Sequence, residues 1–381
     1  MKKNIITEPA SQPASQPASQ PASQPASQPA SQPASQPASQ PASQHRNSNL
    51  DLLRFLACVA VVGLHTSIKD LSAVNAALYY LCGFAVPLFF MASGYILLQR
   101  DNIDWKYVLR KWQAILNVVL LWGALGCIAL LLHGIVVHKS IYAIAYGVLK
   151  MLLGGLLQKG FFWQFWFFGA LLIVYAVSPF ISRMKTQSRI ALWAICFLIG
   201  EIMQISSMYV GASVQSYIIQ TLRVWSWMQY FLLGGFIPML LGYVKHVSLN
   251  KHVMALLIWV ACLLCYQFYV GAFILNPAAG KVQFAEYFYD SFFDVIWLVL
   301  LFSFVMRLNL GEKSKCVIGF FNPLLMGIYI IHPFVLRLFN HFVTITMPVQ
   351  AAFLFFFVLV VSSILVKFMQ QIPLANKLIR L

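Results

Sequence analysis

Acidic side chains are scarce in this sequence, with 10 Asp and Glu in 381 residues against 26 Lys and Arg. Charged residues of both signs make up only 9% of the chain and hydrophobic ones 60%, whereas a soluble domain carries roughly 25% charge. That shortage excludes a water-soluble globular fold for most of the chain and leaves the bilayer as its solvent. Nor is there a disulfide framework. Cys58, Cys82, Cys127, Cys196, Cys262, Cys265 and Cys316 all lie in or beside apolar runs and read as small packing residues. Cys262 and Cys265 form a CxxC, but inside an apolar stretch with no soluble redox fold around it, so neither metal nor redox chemistry is expected. No cleavable signal peptide is legible at the N-terminus. The net charge of +16 is dispersed among short loops, which argues against nucleic acid as a partner.

What is present is a succession of apolar runs near the roughly 20 residues that cross a hydrocarbon core. The expected fold is all-α, a polytopic membrane helix bundle of about ten transmembrane helices. Their approximate positions are 51–70, 75–98, 113–133, 161–181, 189–208, 225–243, 252–272, 288–306, 316–338 and 348–368. The stretch 140–158 carries a central Lys150 and several glycines, so it is expected to lie at the interface or re-enter. Cytoplasmic loops retain Lys and Arg. With the N-terminus inside, cytoplasmic segments hold 18 of the 26 cations, so both termini are expected in the cytoplasm. The chain then divides into a disordered tail over 1–47, a transmembrane domain over 48–371 and a short basic cytoplasmic tail over 372–381.

Ionisable side chains at a helix centre cost about 2.5–3.5 kcal/mol each on insertion scales, so those within spans are functional candidates. The first span, "NLDLLRFLACVAVVGLHTS", places Asp51, Arg54 and His65 on one helix. Eleven residues make about three full turns, so Arg54 and His65 share a face about 16 Å apart, and Asp51 can pair with Arg54. Histidine suits proton abstraction near neutrality, and the planar fork of arginine suits phosphate or carboxylate recognition. The competing reading is that Asp51 and Arg54 anchor the span while His65 marks its other end.

Ser93 and Gly94 in "FFMASGYI" admit close approach of a ligand or of a second helix. Lys106, Arg110 and Lys111 can meet a polyanionic donor or simply obey the positive-inside rule. Trp163 and Trp166 fit an aromatic belt or a cavity wall. Glu201 lies mid-span, and Asp290 and Asp294 lie near the start of the eighth span; Glu201 or Asp294 can neutralise Arg54 or orient His65, or pair with another polar group. His332, beside Pro333 in "GIYIIHPF", lines a cavity or reaches interfacial water.

These segments, in this order, resemble the acyltransferase-3 family of bacterial integral membrane acyltransferases. The resemblance rests on Asp51, Arg54 and His65 in the first span, "FFMASGYI" with Tyr95 for the usual Phe, and the basic Lys106, Arg110 and Lys111. It continues through Trp166 to Tyr175, Ser178 and Pro179, "YFLLG" at Tyr230 to Gly234, and Tyr329, His332 and Pro333. A proline that often follows the basic stretch is missing.

The resemblance implies O-acetyl transfer from acetyl-CoA, as a donor substrate and not a bound cofactor, to a sugar hydroxyl of a surface or lipid-linked glycan. It implies His65 as the catalytic histidine, Arg54 as its required partner, and a multi-pass place in the inner (cytoplasmic) membrane. Lys106, Arg110, Lys111, Ser93 and Gly94 become donor-binding candidates. Trp163, Trp166, Glu201, Tyr329 and His332 become candidates for a cavity or the acceptor. His65 either deprotonates the acceptor or carries the acyl group itself. The rival class is a transporter or flippase of a lipid-linked glycan, but no internal duplication of the kind common in transporters is visible. No extracytoplasmic hydrolase-like domain is expected, so the acceptor must be recognised by the bundle and its loops.

Nine identical PASQ tetrapeptides run from Pro9 to Gln44. Proline at every fourth residue and no apolar face predict a disordered or polyproline-like segment. A flexible tail needs no perfect identity, which points to the DNA. CCA GCC AGC CAG encodes PASQ and is CCAG three times over, so slippage by one unit shifts the frame. The next methionine is Met91, beyond Arg54 and His65. The tract therefore reads as a phase-variation switch, suited to an enzyme that alters a surface antigen such as lipopolysaccharide.

Overall fold

The computed structural model describes residues 47–100, 102–138, 140–275 and 281–380; the PASQ tract, with the expectation of disorder, lies outside them. The described chain contains α1 (Ser48–Thr66), α2 (Ala73–Leu81), α3 (Ala85–Leu97), α4 (Trp105–Val136), α5 (Ile141–Leu153), α6 (Trp166–Arg183) and α7 (Thr186–Val210). It continues with α8 (Val224–Val244), α9 (Leu249–Tyr269), α10 (Phe292–Met306), α11 (Glu312–Phe321), α12 (Leu325–Phe342), α13 (Pro348–Gln371) and α14 (Pro373–Asn376). The fold is all-helical.

Among the described residues, nine helical stretches are long and apolar enough to cross a bilayer. In two of them consecutive helices act together: α2 with α3, and α11 with α12. The expected span 288–306 is helical only over the 15 residues of α10, about 22 Å, because Ser291 caps it with its hydroxyl accepting from the Asp294 amide. Over 140–158, α5 runs into a tight turn at Gly154–Leu157, and Gln158 takes a left-handed φ of 59° that turns the chain away. None of the α5 residues is buried, so this segment packs on the outside, against α4.

The sequence explains which helices sit inside. More than half of the apolar window is buried in α1, α2–α3, α6, α8 and α11–α12, and under a quarter in α4, α7, α9 and α13. The Asn47 side chain caps α1, accepting from the Asn49 and Leu50 amides, and α1 then runs through the middle against α3, α10, α11, α12 and α13. Helices α3 and α8 cross in close contact because both are glycines at the crossing. A Cβ on Gly94 would stand 1.8 Å from the Phe231 carbonyl oxygen, and one on Gly234 would stand 2.0 Å from that of Met91. In α6, Pro179 has no N–H for the Tyr175 carbonyl, and the Ser178 hydroxyl donates to that oxygen at 2.8 Å instead.

The segment expected to be a short basic tail is docked. Residues 373–376 form α14, the Trp122 indole donates to the Leu378 carbonyl at 2.8 Å, and Ile379 is 4% exposed against α12 and α13. Pro373 favours a fresh helical start, and the apolar Leu378 and Ile379 fill the gap beside α4.

Candidate functional site

Two of the cavities beside α1 are lined by expected site residues of that helix. The first, about 270 Å³, is lined by Arg54, Ser93, Lys111, Tyr175 and Tyr329 with Phe89 and Phe167 among the apolar walls. Four of the expected site residues thus meet in one place: Arg54 on α1, Ser93 on α3, Lys111 on α4 and Tyr329 on α12. Asp51, buried one turn before Arg54, places a carboxylate oxygen 3.8 Å from its guanidinium. The Ser93 hydroxyl is tied to the Phe89 carbonyl at 2.9 Å.

The second cavity, about 490 Å³, lies at the C-terminal end of α1 and is lined by His65, Lys69, Gln158, Trp163 and Glu286 with Tyr79, Tyr287 and Tyr289. His65 is held by rings. Trp163 meets it edge-on with centroids 5.3 Å apart, and His332 stacks on it at 5.4 Å. The His332 Nδ1 lies 3.0 Å from the Ile328 carbonyl, which can only accept, so Nδ1 carries the hydrogen. That leaves Nε2 as the second ring nitrogen, and it is buried with no hydrogen-bond partner among the described residues. Tyr329 lines the first cavity, and one turn on His332 touches His65 at the second, so this stretch of α12 separates the two. The Tyr329 hydroxyl donates to the Gln164 carbonyl, which fixes the loop that presents Trp163.

Lys69, Gln158, Arg223 and Glu286 were not singled out from the sequence: Gln158 carries no charge, and the other three stand at the end of an expected span or beyond it, where the rule for intramembrane charge flags little. The Lys69 ammonium rests over the Tyr79 and Phe284 rings at 5.0 and 4.7 Å, a favourable placement for a cation. Glu286 lies 3.8 Å from the buried Arg223 and also accepts from the Gln220 amide. Arg223 is itself fixed by the carbonyls of Ile218, Gln215 and Glu286 at 3.0, 2.9 and 3.3 Å. Burial pushes the Glu286 carboxyl above the usual carboxylate range, with Arg223 and Lys69 opposing the shift. Burial likewise lowers the Lys69 ammonium, and Glu286 opposes that.

The remaining expected residues stand elsewhere. Gly94 faces the α8 backbone and lines neither cavity; close helix packing, the second reading of that glycine, accounts for it. Lys106 and Arg110 are exposed on the first turns of α4, near but not in the first cavity. Trp166 is buried against Trp227 at 5.2 Å. Glu201, on α7, lines neither cavity, and its Oε1 is buried with no hydrogen-bond partner among the described residues. Asp290 accepts from Trp225 and Ser226, and Asp294 from Gln267. These acids therefore serve a polar cluster among α7 to α10, while the carboxylate beside Arg54 is Asp51.

An unbroken first span, a histidine pair standing between two cavities and a ring of apolar helices define a multi-pass membrane helix bundle. Residues 47–368 match the family model Acyl_transf_3, described as an acyltransferase domain, and the chain belongs to the acyltransferase-3 family. An amino-acid racemase of Enterococcus faecalis is 26% identical over 331 residues, which cover 83% of this chain and 45% of that protein. The chain thus spans somewhat under half the length of this curated relative. No solved structure matches the chain significantly.

Proposed function

We propose that the protein is an O-acetyltransferase that moves an acetyl group from acetyl-CoA to a sugar hydroxyl of a surface or lipid-linked glycan. The observation that carries this reading is the placement of Arg54 and His65 in different cavities of one straight helix. Eleven residues at 1.5 Å each separate them by about 16 Å, a span that the extended pantetheine arm of a CoA thioester can bridge. The donor enters the first cavity, with its charged end toward Arg54 and Lys111 and its thioester toward His65. The acceptor enters the second cavity, where Tyr287 and Trp163 offer faces to a sugar ring.

In the reaction, a His65 ring nitrogen takes the proton of the acceptor hydroxyl as its oxygen attacks the thioester carbonyl carbon. The C–S bond breaks, the acetyl group stays on the acceptor oxygen, and the CoA thiolate leaves and recovers the proton from His65. His332 stacks against His65 and holds its ring across the boundary between the cavities. Asp51 holds Arg54. With both termini cytoplasmic, the first cavity faces the acyl-CoA pool and the second faces the exported glycan, in an inner-membrane protein. The racemase name of the longer relative does not displace this reading, since that protein is more than twice as long as the aligned stretch.

Two extensions belong to the same proposal. The acceptor class is a cell-surface glycan such as lipopolysaccharide, and the nine-fold PASQ tract switches expression through a tetranucleotide repeat. A uniform four-base unit in the gene supports the switch, and mixed synonymous codons would remove it. For the activity, mass spectrometry of surface glycans should show an added acetyl mass with the wild-type gene and none with His65→Ala at equal membrane abundance. Retained acetylation in that variant would sink the proposal.

A further inference from the structure

A third cavity, about 760 Å³, opens beside the first and is lined by Ala114, Asn117, Leu120 and Leu121 of α4 facing Pro373, Asn376, Lys377 and Arg380. Ala114 also lines the first cavity, so the two share a wall, and Lys111 stands one turn away on the same helix.

The position of these cations differs from that expected of a free tail. A basic segment after a last span ordinarily stays in water, where it satisfies the positive-inside rule without contact. Here it folds back along α4, a helix whose apolar window has a mean hydropathy of 2.5. The segment is held there by groups other than its charges: the Trp122 indole on the Leu378 carbonyl and the buried Ile379. Lys377 and Arg380 flank that anchor and are themselves exposed to the cavity. The anchored backbone therefore presents two cations beside a chamber that already holds Arg54 and Lys111.

We propose that residues 372–380 form a donor-binding arm, in which Lys377 and Arg380 receive the phosphates of the 3′-phospho-ADP end of the acyl-CoA while Arg54 and Lys111 line the way to His65. This rests on the acyl-transfer reading and adds residues to its donor side. The planar fork of Arg380 matches a phosphate bidentately, and Lys377 supplies a point charge.

The test compares acetyl-CoA, acetyl-3′-dephospho-CoA and acetyl-pantetheine as donors for the full-length protein in lipid nanodiscs. Wild type should show a KM for acetyl-CoA about tenfold below that for the dephospho donor. The double variant K377Q/R380Q should raise the acetyl-CoA KM about tenfold and lose discrimination between the two, with kcat and the acceptor KM unchanged. Trp122→Phe, which keeps the ring but loses the N–H that anchors the arm, should raise the acetyl-CoA KM in the same direction. An unchanged donor KM and an unchanged preference for the 3′-phosphate in both variants would overturn the arm while leaving acyl transfer intact. Failure of wild type to transfer from any of the three donors would overturn the acyl-transfer reading itself.

Discussion

At the scale of single residues, each candidate now has a surrounding that dictates what its replacement does. Gly94 is the sharpest steric case. Alanine there would put Cβ 1.8 Å from a backbone oxygen that cannot rotate away, so α3 and α8 must separate. Gly94→Ala should lower stability in detergent by about 1–3 kcal/mol, the usual range for overpacking, read as a fall in thermal midpoint. Ser93→Ala, one position earlier, should keep the midpoint and change only donor KM.

Glu286 gives a pH signature. Its carboxyl is raised in the fold, so the folded state holds its proton more tightly than the unfolded chain does. That contribution is fully present below the ordinary glutamate range and is lost as pH rises through the raised value. Thermal stability of wild type should therefore fall across this window, and Glu286→Gln should remove that slope. The sequence exposed Asp51, Arg54 and His65 because charge inside an apolar run stands out. It hid Lys69, Arg223 and Glu286 because charge at a span's end or in a loop is ordinary until the segment is seen to fold over a cavity.

At the scale of elements, helix identity was legible and helix interruption was not. Apolar runs of about twenty residues located the spans, including α1 and α13 to within a few residues. The start of α10 lies four residues after the expected 288 because its boundary is set by the Ser291 cap, whose hydroxyl accepts from the Asp294 amide. The Tyr175, Ser178 and Pro179 pattern makes physical sense only in three dimensions, where the hydroxyl takes the carbonyl that the proline cannot bond. Ser178→Ala removes the donor to that part-buried oxygen and should cost about 1 kcal/mol; Ser178→Thr, which keeps the hydroxyl, should restore most of the loss. Thermal unfolding of the two variants side by side checks this.

At the scale of the whole molecule, a histidine pair stands between the cavity that Arg54 lines and the one that His65 lines. Composition alone assigned the solvent, and the spacing of Arg54 and His65 assigned a common helix face. What no spacing rule conveyed is that α12 brings His332 onto His65 or that the chain after α13 turns back along α4, since both depend on contacts between segments far apart in sequence. The central claim is that His65, between the chambers, takes the proton from the acceptor as the acyl group moves. The most direct test is single-turnover transfer of an isotope-labelled acetyl group from acetyl-CoA to glycan by the purified protein, comparing wild type with His65→Ala. The account predicts label on the glycan with wild type, and unreacted but still bound acetyl-CoA with the variant. Label reaching the glycan at the wild-type rate in the variant would contradict it.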